Sequence, residues 1–216
     1  MKTVRTILVL SVFLFLLCSC TVDEAVSTVA VVNGEMITQE EFEYFKARKR
    51  ADIINYYISE FDAKVDEDFW QTEFNGITPE KDLEDRALSE CIKAKIQLVL
   101  CRENGIYDDI SFIGLRQRAE DFNSQDKSGA IGLKTIDMDT FYTYYIDTGV
   151  MELKNILGEK ELAPTGEEIN ACLENFGTQE ENYSAARKAA IAKKYDDMIE
   201  KLCNEADIQK KQKLAS

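Results

Sequence analysis

Apolar residues recur every three or four positions through most of this chain, and the breaks in that rhythm fall at residues that start and stop helices. The first patterned stretch is the exception. Val29-Ala30-Val31-Val32 is apolar and rich in β-branching, and Asn33-Gly34 after it supplies the left-handed dihedrals of a tight turn, which predicts a strand and hairpin. Thr38-Gln39-Glu40-Glu41 reads as a capping box opening a helix to about Phe61, with Phe42, Phe45, Ile53, Ile54, Tyr57, Ile58 and Phe61 near helical spacing. Asp68-Phe69-Trp70 and Asn75-Gly76 mark an irregular, aromatic-anchored link. Thr78 as N-cap and Pro79 at the first helical position begin a helix that runs to Glu103 and stops at Asn104-Gly105; Leu88, Cys91, Ile92, Leu98 and Val99 lie on its buried side.

A third helix is predicted from Ser111 to Asp126, and a glycine-containing link follows from Ser128 to Thr135. Asp137 caps a fourth helix carrying Phe141, Tyr142, Tyr144, Tyr145, Val150, Leu153 and Leu157. Thr165-Gly166-Glu167-Glu168 is a second capping box, opening a short helix. The last long helix has a stripe of Ile191, Tyr195, Met198, Ile199, Leu202, Cys203 and Ala206, which reads as core in preference to a client surface. Ala206-Asp207-Ile208 is a candidate closing strand, and Lys210 to Lys213 reads as a frayed tail. The expected fold is mainly α: a multi-helix module with a short N-terminal strand or hairpin, open to pairing with a short C-terminal strand.

The segment ahead of this module follows a different logic. Lys2 and Arg5 precede an apolar run, Ile7 to Leu17, broken only by Ser11. The run is too short to span a bilayer and has the basic front and small-residue rear of a secretory signal. Its ending, Leu17-Cys18-Ser19-Cys20, resembles a bacterial lipoprotein box; the competing reading is an ordinary cleaved signal beside a chance cysteine. The resemblance implies cleavage after residue 19, a diacylglyceryl group on Cys20, and residence on the extracytoplasmic face of a bacterial membrane. Two acyl chains anchor stably where one does not. Thr21 to Thr28 then forms a polar tether that reaches at most about 29 Å. The chain divides into a signal peptide (1–19), lipidated cysteine and tether (20–28), helical module (29–209) and tail (210–216).

Charge narrows the partners. The chain has 26 basic and 40 acidic side chains, a net of −14. Loss of Lys2 and Arg5 with the signal takes the body to about −16. Phosphate backbones and anionic headgroups repel such a body, so nucleic acid is not an expected partner and the membrane is reached through the lipid. Lys46, Arg48, Lys49 and Arg50 make one basic patch, read as a solvated helix face with an acidic docking partner as the alternative. Four cysteines remain in the body. Cys91 and Cys101 sit on one helix about 15 Å apart along its axis, too far to bond to each other. Either can pair only with Cys172 or Cys203, and apolar neighbours favour buried free thiols. With no histidine and no metal-like cysteine spacing, no metal site or cofactor is expected.

The segment Val29 to Phe42, with its apolar strand, Val32-Asn33-Gly34, Ile37-Thr38, acidic stretch and Phe42-bearing helix, resembles the opening of the SurA/PrsA class of extracytoplasmic foldases. The Lys-rich segment from Ala87 to Lys95, the Thr165 box and a long last helix followed by an apolar strand keep the same order. The resemblance implies a helical chaperone module in which the last helix returns to the N-terminal part. It also exposes a departure. Such foldases carry a parvulin-type prolyl isomerase domain of roughly a hundred residues between their helical segments. Here Phe176 to Asn182 is all that joins the last two helices, and the histidines of a parvulin site are absent. Isomerase activity is therefore not carried over.

Holding unfolded segments requires no catalytic constellation, only a partly apolar concave surface with adaptable side chains. The candidates are Phe69-Trp70 and Phe141-Tyr142 with Tyr144-Tyr145. Four aromatics within five residues cover too wide an arc for one buried stripe, so at least one is expected at the surface or in a groove; completing the core is the alternative role. Acidic pairs such as Asp108-Asp109, Asp196-Asp197 and Glu180-Glu181 point about 100° apart on a helix and do not converge. No nucleophile elbow, P-loop or dinucleotide fingerprint occurs, so an enzyme is not expected. The expectation is a membrane-anchored chaperone that binds unfolded exported proteins. The alternative is a scaffolding lipoprotein with one specific envelope partner.

Overall fold

Asn33 and Gly34 take φ of 50° and 88°, the left-handed pair that a two-residue hairpin demands. They fold β1 (Thr28–Val32) back on β2 (Glu35–Thr38). This computed structural model describes residues 27–125, 135–176 and 182–211. The signal peptide, Cys20, the tether up to residue 26, the residue 177–181 link and the tail beyond residue 211 lie outside them. On its other edge β1 pairs with β3 (Ile208–Lys210), giving an antiparallel sheet of order β2-β1-β3. The closing strand thus starts two residues later than expected. The fraying expected from Lys210 is also corrected. Lys210 pairs opposite Ala30, and the Lys211 amide donates to the Val29 carbonyl at 2.9 Å. The reason is that β2 occupies only one edge of β1, and the other edge's backbone groups need partners.

Six helices follow the hairpin among the described residues: α1 (Gln39–Phe61), α2 (Pro79–Glu103), α3 (Phe112–Ser124), α4 (Met138–Gly158), α5 (Gly166–Phe176) and α6 (Tyr183–Glu205). The protein is mainly helical with a small antiparallel sheet. Local chemistry sets the starts. Thr38, Thr78, Ser111 and Asp137 each accept the amide three residues on, and Pro79 occupies the first turn of α2. At α5 the box is reciprocal: Thr165 Oγ1 accepts from the Glu168 amide, and the Glu168 carboxylate accepts from the Thr165 amide at 2.7 Å.

α2 is the central helix. Leu88, Cys91, Ile92, Ala94, Lys95, Ile96, Leu98 and Cys101 are buried on several of its faces, against α1, α4, α6 and the sheet. Tyr195 and Ile199 of α6 enter the same core, with Met198, Leu202, Cys203 and Ala206 packed at its margin. The four body cysteines are free thiols: Cys91 and Cys101 are buried, whereas Cys172 and Cys203 are only partly covered.

The α1–α2 hairpin extends past this core. Its distal half has a separate cluster of Ile53, Tyr57, Phe69 and Leu83, covered by Ile54, Phe61, Ala63, Trp70 and Phe74. All of these come from α1, α2 and the link between them. In that link Asn75 and Gly76 repeat the left-handed pair, with φ of 50° and 87°, and bring Phe74 opposite Ile77. The distal half is thus an arm with its own small core.

Candidate functional site

At the base of the arm, α1 and α4 approach without closing over α2. The resulting groove has a volume of about 270 Å³ and opens to solvent. Phe45 and Ala94 give it an apolar floor, and Ile146 and Val150 of α4 an apolar wall. Its rim is polar, made of long side chains: Arg48 and Lys49 on α1, Glu90, Lys93 and Gln97 on α2, with Asp147 on α4. Arg48 bridges one end, bonding to the Tyr44 hydroxyl at 2.7 Å and to Thr143 Oγ1 across the groove. Lys49 sits 3.3 Å from Glu90. The volume falls below the roughly 300 Å³ at which pockets begin to enclose small ligands. It suits one or two side chains of a longer segment.

Beneath this groove lies a fully buried polar cluster. Glu41 of α1 and Lys95 of α2 are 0 % and 1 % exposed, and their charged groups meet at 3.0 Å. The Tyr142 hydroxyl of α4 donates to the same Glu41 Oε1 at 2.6 Å, while Oε2 has no hydrogen-bond partner. Burial, followed by the neighbouring Glu41 charge, holds the Tyr142 hydroxyl well above the usual phenol range, so it stays a donor. Tyr44 and Phe45 of the groove pack edge-on against the Tyr142 ring at 4.8 and 5.9 Å. With no solvent-accessible polar atom, the cluster ties three helices together and does not meet a substrate.

The sequence candidates separate sharply. Phe69, Tyr142 and Tyr145 are all buried core residues. This corrects their reading as a client-binding surface: each ring packs among neighbouring rings, Phe69 on Tyr57 and Trp70, Tyr142 on Phe45 and Phe112, and Tyr145 on Tyr107. Tyr145 stacks on Tyr107 at 3.8 Å, and Arg118 donates to its hydroxyl at 2.6 Å. Phe141 is half-buried against Tyr145. Trp70 is half-buried in the arm, with Arg50 stacked 4.1 Å from its ring centroid. Tyr144 is the one of the four α4 aromatics that stands in solvent, 64 % exposed, and Met151 lies on the same face. Both are one helical position round from the groove residues Thr143 and Val150.

The structure does not bring Phe69-Trp70 together with the α4 aromatics; the first pair belongs to the arm core, whereas Phe141, Tyr142 and Tyr145 belong to the main core. The basic patch lies at the surface, with Arg48 and Arg50 exposed and Lys46 and Lys49 partly covered. Each side chain is nonetheless engaged: Lys46 pairs with Glu84 at 3.8 Å, Lys49 with Glu90, Arg50 with Trp70 and Arg48 with Thr143, so the patch joins α1 to α2, to the link between those two helices and to α4.

Sequence reasoning missed Lys95. The signal was there, because Lys95 falls four residues after Cys91 and three before Leu98, on the apolar stripe itself. The groove residues carried no such mark. No family model, curated protein or solved structure matches the chain.

Proposed function

We propose that this protein is a membrane-anchored extracytoplasmic chaperone of the holding type, which binds unfolded segments of exported proteins and has no prolyl isomerase domain of its own. The observation that carries this reading is the groove at the base of the arm. It combines an apolar floor, a rim of long charged side chains and exposed Tyr144 and Met151 alongside. Flexible charged stems and a thioether adapt to many sequences at low cost, and a groove sized for one or two side chains grips weakly. Weak, unselective grip is what a holding chaperone needs. Anchoring through the lipid on Cys20 supports the reading by placing that surface where exported chains emerge unfolded.

The test uses the lipidated full-length chain in vesicles, added to two unrelated proteins during refolding, with aggregation followed by light scattering and a proline-limited refolding rate read in parallel. The expected result is suppressed aggregation of both clients with an unchanged proline phase. It should weaken in Tyr144→Ser and Ile146→Glu, which change the exposed flank beside the groove and the groove wall. Failure with both clients would overturn the reading and favour a scaffold for one envelope partner.

A further inference from the structure

The β1–β3 pairing brings two segments far apart in sequence to one corner of the fold. Lys210 lies opposite Ala30, and Lys211 is bonded through its amide to Val29. The tether enters the fold at Thr28, beside them. Both lysines are exposed, and neither forms an ion pair among the described residues. The carboxylates nearest in sequence or register are engaged elsewhere. The Asp207 carboxylate, just before β3, accepts from the Gln209 side-chain amide at 3.0 Å, and its backbone is bonded to Asn33. Glu40, in the first turn of α1, is held by Arg116 at 2.8 Å. From Ile208 to Ser216 the sequence contains Lys210, Lys211 and Lys213 and no acidic residue, although acids outnumber bases 40 to 26 over the whole chain.

We propose that Lys210 and Lys211 form a contact for the anionic headgroups of the membrane, one that orients the body on its anchor; this rests on the reading of Cys20 as lipid-modified. The magnitudes favour orientation over recruitment. A lysine at an anionic surface gains about fivefold in occupancy, and two of them cannot draw in a body whose net charge is about −16, Asp23 and Glu24 of the tether included. Once the lipid holds the fold within about 29 Å, the balance changes. The surface field acts over roughly 8–10 Å, so it pulls the nearest corner and pushes the acidic remainder outward. α1 begins at this corner, where the Gln39 amide bonds to Ser27 at 2.8 Å. Its 23 residues end about 35 Å away, so the arm tip with Tyr56, Ile58 and Val65 is held far from the lysine contact.

The test uses the full-length chain from a bacterial host, with the mass of its N-terminal peptide reporting lipid on Cys20. It is placed in phosphatidylcholine vesicles with or without phosphatidylglycerol, and lysine acylation by an amine-reactive ester is followed residue by residue. The expected result is acylation of Lys210 and Lys211 slowed about fivefold on the anionic vesicles at low salt. The protection should vanish at high salt, with Lys64 in the arm link unchanged throughout. A lipidated chain whose Lys210 and Lys211 react equally on both vesicles overturns the contact and leaves the anchor standing. An unmodified Cys20 overturns the anchor and the orientation together.

Discussion

Replacing Lys95 by methionine removes one charge from the centre of the protein and almost nothing else. Methionine nearly matches the lysine stem in volume, so no cavity follows. What remains is the Glu41 carboxylate, 0 % exposed, with a single donor from Tyr142 on Oε1 and none on Oε2. Breaking a buried pair in this way costs about 3–5 kcal/mol, because the surviving charge is uncompensated in a region water cannot reach. A domain of this size is stable by about 5–15 kcal/mol, so Lys95→Met should remove about a fifth or more of the total. Urea unfolding followed by far-ultraviolet circular dichroism reads this as a lower midpoint at unchanged slope. The triple variant Glu41→Leu, Lys95→Met, Tyr142→Phe leaves no polar group in this cluster and should recover most of the loss, since apolar replacement of a whole buried pair is often neutral. A cost below about 1 kcal/mol for Lys95→Met, or a triple variant no more stable than the single one, would refute the argument.

Leu83→Ala should loosen the arm before the body, because its core is separate; Trp70, the chain's single tryptophan, reports it by fluorescence. Coincident fluorescence and dichroism midpoints would refute the independence of that core. Gly149→Ala should lower the melting temperature, although alanine gains about 1 kcal/mol in an ordinary helix interior. Its Cβ would lie 2.6 Å from Tyr107 Cε2 and 3.0 Å from Cys101 Sγ, and Tyr107 is held by its stack on Tyr145 and a 2.8 Å hydrogen bond. Calorimetry showing an equal or higher melting temperature would contradict this crowding. In alkali the folded state keeps protons that the unfolded chain releases. Burial pushes the Cys101 thiol up to about 11 and raises the Tyr107, Tyr142 and Tyr195 hydroxyls above the ordinary range. Their stabilisation is complete below about pH 8.5 and is lost as pH rises, first through the thiol and then through the tyrosines above about pH 10. Urea midpoints that stay constant from neutral pH to the alkaline limit would exclude it.

What could be read without coordinates was whatever a few neighbouring residues decide among themselves. Asn33-Gly34 makes its turn because few other dipeptides accept two positive φ angles in succession. Thr38, Thr78-Pro79, Ser111, Asp137 and Thr165 start helices because each satisfies an amide three residues away. Periodicity identified much of the buried side of α2 and α6 on the same local terms. It could not rank Tyr142 against Tyr144, two residues apart, of which one is buried and the other mostly in water. The two capping boxes show where local reasoning stops. Glu168 closes its box, yet Glu41, in the equivalent place, turns inward to Lys95 and Tyr142. Those partners lie 54 and 101 positions along the chain, supplied by helices whose placement depends on how α2 fills the centre. The groove has the same origin, since Arg48 and Thr143 meet across it only because α1 and α4 both pack against α2. Caps and turns are short-range energies written in adjacent residues, whereas a buried charge pair and a gap between helices arise from the packing of whole surfaces, which no local pattern encodes.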